Sequence, residues 1–187
     1  MQVYKLSAEP RKAAGSAEAR RQRRAGKVPC ALYGKGISES FLLTQTEAHK
    51  IVFTPQVYLF EIALGGQTYT AILREYQLHP VHDYVMHLDF MMCGFEDEIT
   101  IALPVKLIGT AEGVQMGGKL VPLTRRLKVR GKVRDLPPVL EIDVSALKLG
   151  KTLTVGRLSI PGIAIVTSPD TAIARIEIPR ALRAQQG

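Results

Sequence analysis

Two groups of side chains in this sequence are of types that act on phosphates, bases or metals. The first is ARRQRRAG, residues 19–26, which packs Arg20, Arg21, Arg23 and Arg24 into little more than one helical turn. Each guanidinium can fork two N–H groups onto a phosphate, so this density suits a polyanion. Arg11 and Lys12 lie just upstream, and Tyr33 follows closely as a ring that can stack or hydrogen-bond. The second group is YQLHPVHDYVMHLDF, residues 76–90, where Gln77, His79, His82, His87 and Asp89 crowd together. Histidine, aspartate and the neighbouring Cys93 are zinc ligands by type. A metal reading takes His79, His82 and His87 as the cluster, but their spacing matches no common zinc site and no general base stands beside them. A bland reading makes them polar residues on the open face of a half-buried sheet. In the third reading His87 and Asp89, two apart on a strand, share a face and address base edges or 2′-OH groups. Asp89 repels phosphate, so it fits only as an acceptor from a base amino group.

RLKVRGKVR, residues 126–134, is a third candidate. On a strand Arg126, Lys128, Arg130, Lys132 and Arg134 share one face, opposite Leu127, Val129 and Val133. That face is either an edge strand guarded by cations or a second RNA contact. The glycine-rich GVQMGGKL, residues 113–120, lacks the Walker pattern, and Gly34-Lys35-Gly36 is too short to bind a nucleotide. No cofactor and no small-molecule substrate is expected.

The elements that must position these groups are mostly strands. Gly (16) and Pro (11) recur between short alternating segments, the rhythm of a mainly β chain. The exception is SAEARRQRRAG, residues 16–26, a helix with Ser16 as its cap, Glu18 near its positive end and Gly26 after its last turn. It has almost no apolar face, so the expectation is that a polyanion helps to order it. Arg20, Arg23 and Arg24 fall on one side, with Arg21 about 100° around.

Expected strands are VPCALYGKG (28–36), FLLTQ (41–45), YLFEIAL (58–64), QTYTAILRE (67–75) and VMHLDFMM (85–92), with Gly65-Gly66 as a hairpin turn. Along 85–92, His87 and Asp89 are expected on one face and Met86, Leu88 and Phe90 on the other. A short helix is expected from Thr46 to Phe53, capped by Thr46. A boundary near Gly94 divides the chain into domains 1–94 and 95–187. The second carries expected strands at 99–108, 126–134, 140–144, 152–155, 163–167 and 172–178, a flexible glycine loop at 113–120 and a frayed tail, ALRAQQG.

The 187 residues are 46% hydrophobic and 22% charged, which is ordinary for a globular protein and excludes a disordered or collagen-like chain. The net charge is +8, and nine of the basic residues against two acidic ones lie in residues 1–36. The charge is a local footprint, the mark of a phosphate-bearing partner. The N-terminus has no apolar signal region and no run approaches a membrane span, so the reading is cytoplasmic, without a membrane partner. Two cysteines make no disulfide framework.

In order and spacing these motifs resemble the bacterial large-subunit ribosomal protein twenty-five family, also called the CTC or general stress family. The matching pieces are Arg11-Lys12, ARRQRRAG (19–26), VPCALYG (28–34), Gln77-x-His79-Pro80 and HLDF (87–90). GVQMGGKL, Pro137 and EIDVSALKLGKTL (141–153) resemble its longer, two-domain members. The resemblance implies two β domains. The first is a small six-stranded-type β-barrel with short helices, similar to glutaminyl-tRNA synthetase anticodon-binding domains. It also implies a structural ribosomal protein, not an enzyme, that docks on the minor-groove side of a non-canonical internal loop of 5S rRNA.

The family's contacts fall on Arg11, Arg20, Arg21, Tyr33, Gln77, His87 and Asp89, to which the reading of the residues adds Lys12, Arg24 and His79. Neighbouring ribosomal proteins or rRNA are the implied partners of the second domain. A stress-induced RNA-binding factor only loosely attached to ribosomes is the alternative. Gln22 stands where the family usually has leucine, Cys30 where alanine is common, and Tyr76 where a small aliphatic residue is usual. The first departure is expected to weaken the arginine helix's hold on the barrel.

Overall fold

The computed structural model describes residues 1–11 and 15–179, so Lys12 and the expected tail ALRAQQG lie outside the described residues. The chain divides into two compact units, Met1–Asp97 and Glu98–Gly187.

Unit 1 runs β1 (Gln2–Ser7), β2 (Glu9–Pro10), α1 (Ser16–Arg24), β3 (Lys27–Gly34), β4 (Ile37–Thr44), α2 (Gln45–Val52), β5 (Tyr58–Leu64), β6 (Gln67–Leu78) and β7 (Val85–Met92). Its strands form one sheet in the order β1-β5-β6-β7-β3-β4-β2. β1 pairs in parallel with β5 at one edge, and β2 pairs antiparallel with β4 at the other. Only Ala8 separates them, and its N–H donates to the Ala63 carbonyl at 3.1 Å. Residues 2–10 therefore act as one bent strand lying on both edges. Seven segments make six passes of a curled, barrel-like sheet whose two edges share that strand, with β2 pairing β4 only at Glu9 and Pro10. Inside, Leu32, Phe41, Leu43, Ile62, Leu88 and Phe90 are fully buried. The Phe90 ring packs 5.6 Å from Phe41 and edge-on to Phe60 at 5.3 Å. Gly65 and Gly66, at φ 59° and 86°, supply the two left-handed residues that a tight hairpin needs.

Several local expectations are corrected. The cap of α2 is Thr44, not Thr46: Thr44 is extended and its Oγ1 accepts the Glu47 N–H at 3.2 Å. Ser16 is the first helical residue of α1, and Gly15, at φ 127°, takes the cap position without a side-chain bond. Gly26 does end that helix, at φ 74°. The strand expected at 41–45 begins at Ile37, and β6 continues to Leu78.

Unit 2 contains β8 (Glu98–Ile108), α3 (Glu112–Gln115), β9 (Lys119–Pro122), β10 (Arg126–Lys132), β11 (Leu140–Asp143), β12 (Thr152–Thr154), β13 (Ala164–Ile165) and β14 (Ala172–Glu177). One sheet is ordered β11-β8-β10-β13 and a smaller one β12-β14-β9. Leu103, Leu127, Leu136 and Leu140 are fully buried, and Ala111, Val144, Leu147 and Ile176 form a separate cluster.

Residues 113–120 are not a flexible loop. They make a helical turn and then enter β9. A Cβ on Gly113 would sit 2.5 Å from the Leu149 nitrogen, and one on Gly118 2.5 Å from the Gly113 carbonyl oxygen. These glycines permit close packing rather than motion. β10 stops at Lys132, where the Asp135 N–H turns back to the Lys132 carbonyl at 3.0 Å. Arg134 thus leaves the strand and pairs with Asp135 at 3.4 Å. The strand expected at 163–167 shrinks to two residues.

Candidate nucleic-acid interface

The outer face of β6, β7 and β3 carries the polar residues. Gln77 lies directly opposite His87, and Glu75 opposite Asp89. β3 runs parallel to β7 with Ala31 beside Asp89 and Leu32 beside Phe90. Leu32, Leu88 and Phe90 point inward, so by the alternation Tyr33 and Asp89 point outward. Tyr33 is 37% exposed. The Nδ1 of His87 lies 3.4 Å from the Asp89 Oδ1, and each side chain keeps a quarter of its surface open. Glu75 is the residue sequence reasoning missed here, because the bulge between Leu73 and Glu75 sets the register that brings it opposite Asp89.

A second bulge corrects the expected facing of Met86. Gln77 pairs with His87 but Leu78 pairs with Val85, which leaves Met86 unpaired. Val85 turns into the core, and Met86 joins the lining of an outer cleft.

α1 lies beside this face with none of its residues buried. Its arginines divide into two sets. Arg21 turns to the Glu18 carboxylate at 3.0 Å, and Gln22 donates to the same carboxylate at 2.5 Å. The Gln22 hydrogen bond, with the charges of Arg21 and Arg11, holds the Glu18 carboxyl below its usual range. Gln22 thus serves the helix through a carboxylate where a leucine would serve it by packing. Arg11 donates to the Gly15 carbonyl at 3.2 Å, while its Nε is closed off from solvent without a partner. On the other side, Arg20, Arg23 and Arg24 line a cleft of about 460 Å³ with His79, Tyr84 and Met86. Arg23 donates from Nε to the Met86 carbonyl at 3.0 Å, which ties the helix to the barrel. The weak hold expected from Gln22 is therefore offset by a bond that the sequence pattern did not announce.

The histidines do not assemble a metal site. The Nδ1 of His79 accepts the backbone N–H groups of Val81 and His82, each at 3.3 Å. Its ring stacks 4.6 Å from Tyr84 and 5.0 Å from His82. His87 instead faces Asp89. No three ligand-type side chains converge among the described residues. Both thiols are buried; burial pushes Cys30 up strongly, and burial with the nearby Asp97 charge raises Cys93 to about 11.

In unit 2, Arg126, Lys128, Arg130 and Lys132 are all exposed and alternate with buried Leu127, Val129 and Gly131. β10 is not an edge strand, since β8 flanks its whole length and β13 pairs at Val129 and Arg130. Opposite the cations on β8 stand Pro104, Ala102, Thr100 and Glu98. One carboxylate, at the end of the row, faces four positive charges.

Comparison with known proteins agrees with both units. The ribosomal L25p family matches residues 6–90, and the C-terminal domain of ribosomal protein TL5 matches residues 98–180. A large ribosomal subunit protein bL25 of Porphyromonas gingivalis is 36% identical over 98% of this chain and 96% of its own. Its counterpart in Bacteroides thetaiotaomicron is 37% identical over 86% of this chain and 82% of its own. That of Parabacteroides distasonis is 32% identical over 100% and 98%. With two family models in series and this identity along nearly its whole length, the chain belongs to the ribosomal L25p family.

Proposed function

We propose that this chain is a structural, non-enzymatic protein of the large ribosomal subunit, ribosome-associated in the bacterial cytoplasm, and that unit 1 binds 5S rRNA. The observation that carries the reading is the arginine helix set against an exposed row of hydrogen-bonding side chains on the barrel. Arg11, Lys12, Arg20, Arg21 and Arg24 hold phosphates and set register, and carry no sequence information of their own. Gln77 and His87, paired across β6 and β7, address base edges and 2′-OH groups in a widened minor groove. Asp89, backed by Glu75, accepts from base amino groups, since two facing carboxylates exclude a phosphate from that spot. Tyr33 and His79 bound the face at its two ends. Neighbouring rRNA or ribosomal proteins meet unit 2 through Arg126, Lys128, Arg130 and Lys132, with Arg134 beyond the strand.

The test is binding to transcribed 5S rRNA against an equal mass of tRNA across a salt series. A preference for 5S rRNA that survives rising salt supports the reading. Equal binding to both RNAs, collapsing with salt, would reduce the helix to a polyanion magnet and sink it. Within the series Arg20→Ala weakens both RNAs and flattens the salt slope.

A further inference from the structure

The cleft between α1 and the β6–β7 connection is not explained by phosphate contacts along a duplex. It is concave, and its lining pairs cations with stacked rings. Arg23 is spent on the Met86 carbonyl. Arg20 and Arg24 have no ion-pair partner among the described residues, and no carboxylate lines the cleft. The connection itself is stiff: the His79 N–H donates to the Tyr84 carbonyl at 2.9 Å, and the Asp83 N–H to the His79 carbonyl at 3.1 Å. The His79 Nδ1 is occupied by two backbone N–H groups, which leaves Nε2 as the nitrogen that can donate outward. Tyr84 stays 36% exposed although its ring is held against His79, with the planes 25° apart. A pre-set ring pair beside two unpaired guanidinium groups is a platform for a nucleobase with an anchor for its phosphate. The volume is of the size that holds a small ligand.

We propose that this cleft receives one unpaired nucleotide of the bound RNA, its base against the Tyr84–His79 pair and its phosphate between Arg20 and Arg24. The proposal rests on the RNA-binding reading above and adds to it a single-stranded contact distinct from the groove-facing row. Membrane headgroups do not fit, because α1 has no apolar face to enter a bilayer.

The experiment uses the full chain with two ten-nucleotide probes, oligoadenylate and an abasic ribose-phosphate chain of equal charge, at one salt concentration. The base-bearing probe is expected to bind about tenfold more tightly, the scale of one base stacked on an aromatic ring. Tyr84→Leu should erase that difference and leave binding of the abasic chain unchanged. Tyr84→Phe, which keeps the ring, should preserve it. Equal binding of the two probes by the unaltered chain overturns the proposal. So does equal loss in Tyr84→Phe and Tyr84→Leu, which would assign the contact to the hydroxyl. Polyglutamate competing as well as oligoadenylate would assign the cleft to an acidic peptide and overturn it too. None of these results depends on 5S rRNA preference, so a failed cleft and a failed 5S assignment are told apart.

Discussion

Each unit of this protein displays a row of cations, and the two are built in opposite ways. In unit 1 the arginines sit on a helix with no buried residue, and one of them, Arg23, ties that helix to the barrel. Their neighbours are specific: stacked rings on one side, and on the sheet a line of donors and acceptors from Gln77 to Asp89. In unit 2 the cations stand on a strand whose other face is core, about 7 Å apart by the pleat, with Pro104, Ala102 and Thr100 across from the first three and Glu98 across from the last. The strand row offers charge at regular intervals and little else. Charge alone supplies affinity without choice, and choice needs directional groups beside it. On the proposed reading, unit 1 is therefore the discriminating half, and unit 2 the half that adheres.

The largest effect that can break this contrast is salt. Between 50 and 200 mM, affinity of the full chain for 5S rRNA should fall about 10³-fold if roughly six phosphates are neutralised. Arg20→Ala with Arg24→Ala should lower the salt slope by about two in filter binding. Next, Asp89→Ala should cost about 1–3 kcal/mol on 5S rRNA and little on tRNA. Equal loss on both RNAs would place Asp89 outside base reading.

A third measurement separates the units by stability. Gly113→Ala forces a methyl against Leu149 backbone, so unit 2 should lose about 1–3 kcal/mol in thermal melting while 5S rRNA affinity holds. Fourth, Arg126→Gln, Lys128→Gln and Arg130→Gln together should leave 5S rRNA affinity within about twofold and reduce retention on large subunits during high-salt sedimentation. A loss on 5S rRNA as large as that of the helix pair would merge the two regions into one.

The smallest effect is protonic. The folded Glu18 carboxyl titrates below its ordinary value of 4.5, so its contribution to α1 is present above that value and is lost as pH falls through the folded value. Helical circular dichroism should decline on that acid limb, and Glu18→Gln should remove the decline.

The strands of unit 1 were legible where an apolar-rich run met turn residues, as at 58–64 before Gly65-Gly66 and at 85–92 shortly before Gly94. What stayed hidden was register. A bulge is one unpaired residue, and neither Met86 nor the Glu75–Asp89 pairing leaves a mark in local composition. The cleft was hidden for the same reason: Arg20, Arg24, His79 and Tyr84 meet only through tertiary packing. The glycines of 113–120 misled because a glycine needed for room and one needed for freedom read alike. The four cations of β10 were read correctly as sharing one face, but no pattern in the strand itself told of the short β13 beside it.

Residues 2–10, which lie on both edges of the barrel, also set a schedule. β1 is synthesised about fifty residues before its parallel partner, Tyr58–Leu64, which is several seconds at bacterial elongation rates. Throughout that interval β1 lacks its β5 partner and the arginine helix has no finished wall to lean on, since Met86 comes later still. The register that joins the two edges of the sheet thus waits on residues made before most of its strands. On the proposed reading, a newly synthesised chain offers its arginines to surrounding polyanions before it can offer Gln77, His87 and Asp89, so attraction would precede discrimination.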